Sequence, residues 1–161
     1  MTLTEFFYSI GAPTANAGAT EAEIFATEKR LAGQLPDAFR AWFLEADGFE
    51  GEAETCLWRF HSLQYLQPIS TTFPATSEIL ISKSRFPDRR AAASEYVVFC
   101  DAFIYLPFYA INIHPGSPYY SEVISASEET PADANFVAPS FEAFTKLLFE
   151  HANDGLFTAD D

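Results

Sequence analysis

Thr20–Glu52, TEAEIFATEKRLAGQLPDAFRAWFLEADGFEGE, decides how this chain folds. Thr20 and Glu23 have capping-box spacing, in which each side chain satisfies the other residue's backbone N–H, so a helix starts here. Glu21 and Glu23 fall in its first turn and Lys29 and Arg30 near its end, the signs that the helix dipole favours at each place. Ile24, Leu31 and Leu35 are spaced to face a core, and Gly33 is the expected stop. Pro36 suits the first position of a second helix, because its missing N–H is not needed there. In that helix Phe39, Trp42, Phe43 and Ala46 follow i, i+3, i+4, i+7, the spacing of one buried face. Gly48 is the expected left-handed stop.

Outward from this pair of helices, the chain turns to strands. Thr4–Ile10 reads as a short helix, and residues 11–20 as a small-residue loop leading into the capping box. Thr55–Phe60 reads as a strand. Residues 67–93 are rich in Pro, Ser and Thr, and Ser77–Ser82 fits either a helix or a strand. Glu95–Cys100 is a buried strand. Phe108–His114 alternates, with Tyr109, Ile111 and Ile113 on one side and Phe108, Ala110 and Asn112 on the other. A turn at His114–Pro118 leads to a strand over Tyr120–Ser125, and Phe136–Ala138 is a last short strand. Ser140 then caps a helix with an apolar stripe of Phe141, Phe144, Leu147 and Leu148. Helices, then strands in hairpin succession, then a helix give an α+β fold: one domain, a largely antiparallel sheet, and helices packed on one side.

The quoted stretch resembles the opening of the SUKH superfamily, named in part for yeast cell-wall regulators and best known for bacterial toxin-immunity proteins. The matching elements are Glu28, Leu35-Pro36, Phe39 with Trp42-Phe43-Leu44, and Asp47-Gly48. The strand Cys56–Phe60, the segment His61–Leu66 and Ala138-Pro139-Ser140-Phe141-Glu142-Ala143-Phe144 continue the likeness. It covers most of residues 18–152, leaving 1–17 as an N-terminal extension and 153–161 as an acidic tail. Residues 99–114, FCDAFIYLPFYAINIH, depart from the family's Gly- and Asp-rich hairpin, because they contain no Gly. The resemblance implies a bacterial immunity protein that binds a toxin stoichiometrically, with no catalysis. An intracellular scaffold or regulatory adaptor is the alternative that the yeast relatives suggest. A hydrolase using His61 and a nearby carboxylate, with Glu52 or Glu54 as neighbours, is a remote third.

Composition bounds the partners. At 161 residues the chain is long enough to bury a sizeable core, and its 17 Phe make that core aromatic. No apolar run approaches the roughly 20 residues that span a bilayer, and MTLTEFFYSIG lacks the features of a secretory signal. Cys56 and Cys100 lie in apolar runs and read as free thiols of a reducing cytoplasm rather than a disulfide framework. A net charge of −14 argues against nucleic acid and anionic membranes, and it favours a basic partner such as a nuclease toxin domain. The same charge also serves plain solubility. Lys83–Arg90 holds four of the nine bases; it reads as a solvated linker, with anion binding as the sharper option. The sequence carries no signal for either a monomer or a homodimer.

Nothing in the chain has the spacing of a catalytic or metal motif. His61, His114 and His151 are scattered. His151 suits a helix end and His114 a strand end. There is no G-x-S-x-G elbow, phosphate loop or dinucleotide fingerprint. The acids Glu128-Glu129 and Asp160-Asp161 read as solvated, and the acids from Asp47 to Glu54 lack EF-hand spacing for Ca²⁺. No catalytic, cofactor or metal residue is therefore assigned. Glu45, Asp47, Glu50, Glu52 and Glu54 form an acidic run without a base, with Phe49 among them, and Tyr119-Tyr120 follow a turn. These eight are the candidate partner-binding residues, as exposed aromatics near acids suit recognition of Arg-rich surfaces. The aromatics from Phe103 to Tyr109 read as core.

Overall fold

A computed structural model of the protein describes residues 2–9, 15–50, 58–83, 86–102 and 107–151. The capping box forms as its spacing dictates: Thr20 Oγ1 accepts from the Glu23 N–H at 3.2 Å and Glu23 Oε2 accepts from the Thr20 N–H at 2.7 Å. Helix α2 (Glu21–Leu31) follows, and α3 (Asp37–Glu45) after it. Between them Glu28 bridges the corner. Its Oε1 accepts from the Leu35 N–H at 3.0 Å and from Arg40 Nη1 at 2.7 Å. Phe39, Trp42, Phe43 and Ala46 are buried as their period requires.

Three local expectations shift by one or two residues. The left-handed residue that closes α2 is Ala32, with φ 50°, and Gly33 is one place beyond. The Gly33 N–H reaches back to the Glu28 carbonyl at 3.2 Å, the six-to-one bond of a Schellman ending. Gly33 is required for a different reason: a Cβ there would lie 2.5 Å from Ile113 Cδ1. Pro36 is the N-cap of α3 rather than its first residue, and α3 closes on Ala46 in extended backbone. Gly48 does adopt φ +72°, but it serves the turn into the first strand.

The strands are β1 (Phe49–Glu50), β2 (Trp58–Phe60), β3 (Gln67–Pro68), β4 (Glu78–Lys83), β5 (Phe86–Ala92), β6 (Tyr96–Ala102), β7 (Pro107–Asn112), β8 (Val123–Ser127) and β9 (Asp133–Ala138). They form one sheet in the order β1-β2-β6-β7-β8-β9-β4-β5, with β3 also paired to β6. All pairs are antiparallel except β4 with β9. Ser77–Ser82 thus resolves as strand, and the segment read as a basic linker is, from Phe86 on, the edge strand β5. The strand expected over Tyr120–Ser125 starts later, at Val123, because Tyr119, Ser121 and Glu122 are held in the turn.

Both faces of the sheet are covered, which is why every residue of β7 is buried. Tyr109, Ile111 and Ile113 join one apolar cluster and Phe108 and Ala110 another, as the alternation requires. A register shift between Val98 and Cys100 turns Phe99 and Cys100 to the same cluster. Helices α2, α3 and α5 (Phe141–His151) and the N-terminal α1 (Leu3–Ser9) supply the larger cluster, and the four-residue α4 (Ile69–Thr72) supplies Ile69 to the smaller. The larger cluster is an aromatic stack. The Phe141 ring lies 4.5 Å from Phe39, 5.5 Å from Trp42 and 5.6 Å from Phe99 between centroids. Cys100 is buried in the larger cluster, and Cys56 lies outside the described residues. Among those residues no helix is long and apolar enough to cross a membrane.

Helix α1, within the segment expected as an extension, is part of this packing. Thr2 and Glu5 form a second capping box, with bonds of 2.7 and 3.1 Å, which the sequence reading missed. Leu3, Phe6 and Phe7 are buried. Burying each contributes about 1.5–3 kcal/mol, while ordering one residue costs roughly 1–2 kcal/mol.

Ala32 and Gly48 make opposite demands on substitution. Ala32→Gly relieves a left-handed strain of about 1–2 kcal/mol, less the added freedom of Gly in the unfolded chain, and raises stability by up to ~1 kcal/mol. Gly48→Ala lowers it by more than ~1 kcal/mol, since its Cβ would meet the Ser62 nitrogen at 2.5 Å. Urea denaturation midpoints of the two variants measure both; equal midpoints would refute the assignment.

Candidate functional site

The α3–β1 turn and the 3₁₀ turn Leu63–Tyr65 after β2 meet at one end of the sheet. Asp47 ties them together. Its Oδ1 accepts from the Leu63 N–H at 2.7 Å, and its carbonyl accepts from Asn16 Nδ2 at 2.9 Å. Burial raises the Asp47 carboxyl above its ordinary value, the Leu63 N–H offsets part of that, and the charge of Glu23 adds to the rise. Beside this join is a cavity of about 500 Å³ lined by Asn16, Phe49, Arg59, His61, Gln64 and Tyr65, among others.

Arg59 and His61 are placed by strand pairing. Arg59 lies opposite Asp101 in the β2–β6 register, and the two ion-pair across the strands. Arg59 Nε donates to Oδ1 at 2.9 Å and Nη2 to Oδ2 at 2.5 Å. The His61 backbone N–H donates to the Phe99 carbonyl, which brings its Nε2 to 3.0 Å from Asp101 Oδ2. Burial alone would raise the Asp101 carboxyl. The bonds from His61 and Arg59, with their charges, outweigh it and hold Asp101 below the ordinary value. A smaller cleft of about 170 Å³ on the same trio also touches Phe73, Phe108 and Glu128.

This trio brings three ionisable side chains together beside a cavity. His61 does stand next to a carboxylate, but the partner is Asp101, not Glu52 or Glu54. A general base must present a free nitrogen to the proton it removes. In His61 one ring nitrogen faces Asp101, and the other, Nδ1, is buried without a hydrogen-bond partner. The arrangement ties β2 and the residue after it to β6 across the strands. Among the described residues no three His, Cys, Asp or Glu side chains could hold a metal ion.

The residues expected from sequence to meet a partner fall in two places. Glu45, Asp47 and Phe49 lie together at the α3–β1 turn. Glu45 is exposed and accepts from the Leu3 N–H at 3.0 Å. Phe49 is fully buried, so its expected exposure is corrected: β1 pairs it with Phe60, and its ring faces Phe7 at 5.2 Å. Glu52 and Glu54, and the side chain of Glu50, lie outside the described residues. Tyr119 and Tyr120 close the β7–β8 turn beyond Asn112, which pairs with Tyr96 at the opposite end of β6 from Cys100 and Phe60. Tyr119 is exposed but already has a cation: Arg89 stacks 3.5 Å from its ring centroid. Arg89 also pairs with buried Glu122, which accepts from the Tyr96 hydroxyl at 2.8 Å. Of the four bases of the expected basic loop, Arg89 is thus in an internal ion pair, while Arg90 pairs with Glu78 on the surface. Sequence could not supply Asp101 or Glu122, since each meets its arginine only through non-local pairing.

The family profile described as SMI1/KNR4 (SUKH-1) matches residues 18–146. No individual curated protein matches the chain in sequence.

Two carboxylates should respond oppositely to acid. Asp101 is depressed on folding, so its contribution is present above the unfolded value near pH 3.9 and is lost as pH falls through the folded value. Asp101→Asn should cost about 1–3 kcal/mol at pH 7 and less at pH 2.5. A difference in urea-unfolding free energy that stays the same at both pH values would refute this. Asp47 is raised on folding, so its charge opposes stability once pH exceeds the folded value. Asp47→Asn should leave stability at pH 7 unchanged or higher, whereas Asp47→Ala, which orphans the Leu63 N–H, should lower it by about 1–3 kcal/mol. Calorimetric melting of the pair tests the contrast.

Proposed function

Because the chain belongs to the SMI1/KNR4 family (SUKH-1), we propose that it is a protein-binding domain of the bacterial immunity type, which neutralises a cognate toxin by stoichiometric capture in the cytoplasm. The family match over residues 18–146 is the observation that carries this reading. The domain acts by contact and not by turnover; its buried carboxylates Asp101 and Glu122 are each held in an ion pair with an arginine. A net charge of −14 selects a basic toxin domain, for which a nuclease is the fitting class. The acids of residues 45–54 would then stand where phosphates stand in the toxin's substrate, covering its active site or substrate path.

A regulatory adaptor uses the same fold without a toxin, and the neighbouring gene separates the two. Capture of the adjacent gene's product in a one-to-one complex supports immunity; no complex with it leaves the adaptor. Within such a complex, reversing Glu50, Glu52 and Glu54 to Lys should slow association at least tenfold at low salt and flatten its salt dependence. An unchanged on-rate by stopped flow would sink the phosphate-mimic idea.

A further inference from the structure

The cavity beside the Asp47 join and the smaller cleft next to it share Arg59, His61, Tyr65 and Gln67, so they are two parts of one cleft. It runs from Asn16, which is bonded to the α3–β1 turn, to Glu128, in the turn between β8 and β9. We propose that this cleft binds an extended segment of a partner protein, with an arginine or lysine of that segment held by the Tyr65 ring and the Glu128 carboxylate. That the ligand is a stretch of protein rests on the binding function proposed above; the cation site does not.

The walls of the cleft are fixed, while several of their side chains are unspent. The Leu63 N–H donates to Asp47 at 2.7 Å, and Arg30 donates to the carbonyls of Leu63 and Leu66 at 2.8 and 2.9 Å, so the backbone of the 3₁₀ turn is held from two sides. Pairing of Gln67 with Val98 continues the hold into β3. The turn that carries Glu128 is held by Ser127, whose Oγ accepts the Glu129 N–H at 3.0 Å and whose carbonyl accepts the Thr130 N–H at 3.2 Å. Yet among the described residues no hydrogen bond or ion pair engages the side chains of Gln64, Tyr65, Gln67 or Glu128. An ordered backbone that presents unspent side chains is pre-organised for binding, because less freedom is lost when a ligand arrives.

The chemistry of the lining selects the ligand. A carboxamide offers an acceptor and N–H donors in one plane, which matches a peptide group. Gln64 and Gln67 can therefore meet the backbone of a guest whatever its sequence, and only an extended chain leaves its N–H and C=O groups open to them. Tyr65 is 60% exposed, and it lines the smaller end of the cleft together with Glu128. An aromatic face beside a carboxylate attracts a cation, and Arg59, which also lines this end, is ion-paired with Asp101. A net charge of −14 draws the same kind of segment towards the protein, whereas a neutral sugar gains nothing from it.

The probe is the peptide acetyl-Ala-Gly-Arg-Gly-Ala-amide, titrated into the isotope-labelled full chain and followed by amide NMR. Saturable shifts at Gln64, Tyr65, Gln67 and Glu128 are expected, including the side-chain amides of the two glutamines. Binding should weaken about fivefold in Tyr65→Ala, in Glu128→Gln, and when the peptide's arginine is replaced by leucine. No shifts in the cleft overturn the proposal, and so does equal binding of a peptide with glutamate in place of arginine. Saturable shifts with maltotriose and none with the peptide would make this a sugar site and overturn it as well. Tyr65 and Glu128 are exposed, so both variants should keep the dispersed spectrum of the parent; if one does not, the other decides. The titration uses no toxin, so its failure leaves toxin capture standing, and failure of the toxin complex leaves the cation site standing.

Discussion

Helix α3 is fixed at both ends by half-buried carboxylates, and the rest of the structure hangs on its position. Before it, Glu28 accepts the Leu35 N–H and holds Arg40, which also reaches Glu21 at 2.6 Å. After it, Asp47 accepts the Leu63 N–H of the turn beyond β2. A carboxylate that accepts a backbone N–H from a neighbouring segment stands in for the secondary structure those segments lack. Between these anchors α3 delivers Phe39, Trp42 and Phe43 onto the sheet. A slip of one residue would turn all three away from Phe141, Phe99 and Phe60.

That geometry explains the aromatic composition. Four helices on one face of a twisted sheet leave an irregular gap, and large flat rings at varied tilts fill it. Most pairs in the stack are tilted or edge-on, the arrangements aromatic quadrupoles prefer, each adding about 0.5–1.5 kcal/mol beyond burial. The other face uses mostly Ile and Ala around Tyr96 and Phe108, with α4 as a short cover. The glycine-free stretch through residues 99–114 fits this division: its described part, Phe99–Ala102 and Pro107–Asn112, lies in two central strands buried on both sides, where Gly would weaken packing.

What was legible in the sequence was local. Capping boxes, helix faces and the alternation of β7 depend on neighbours within a few positions, and Thr20, Phe39 and Tyr109 behave as their spacing requires. What was not legible depends on distant chain. Gly33 looks like a helix stop but is small because Ile113 approaches it, a contact set by the fold. Phe49 looks exposed among acids, yet pairing with Phe60 turns it inward. Arg89 looks like part of a solvated basic loop until Glu122 is brought beside it from another strand. His61 has its carboxylate across the sheet, forty residues on. In each case tertiary pairing decided what local pattern could not.

The pairing of the arginines also shapes the surface on which the function turns. Arg40 is spent on Glu21 and Glu28, Arg59 on Asp101, Arg89 on Glu122 and Arg90 on Glu78. Arg30 donates to the carbonyls of Leu63 and Leu66. Ion pairing leaves the net charge unchanged, but it cancels each cation's field within a few ångströms of its source. The excess of acids is not cancelled in this way, so it sets the long-range potential, which falls off only over about 8–10 Å at physiological salt. A basic macromolecule approaching from any side therefore meets attraction before it meets shape.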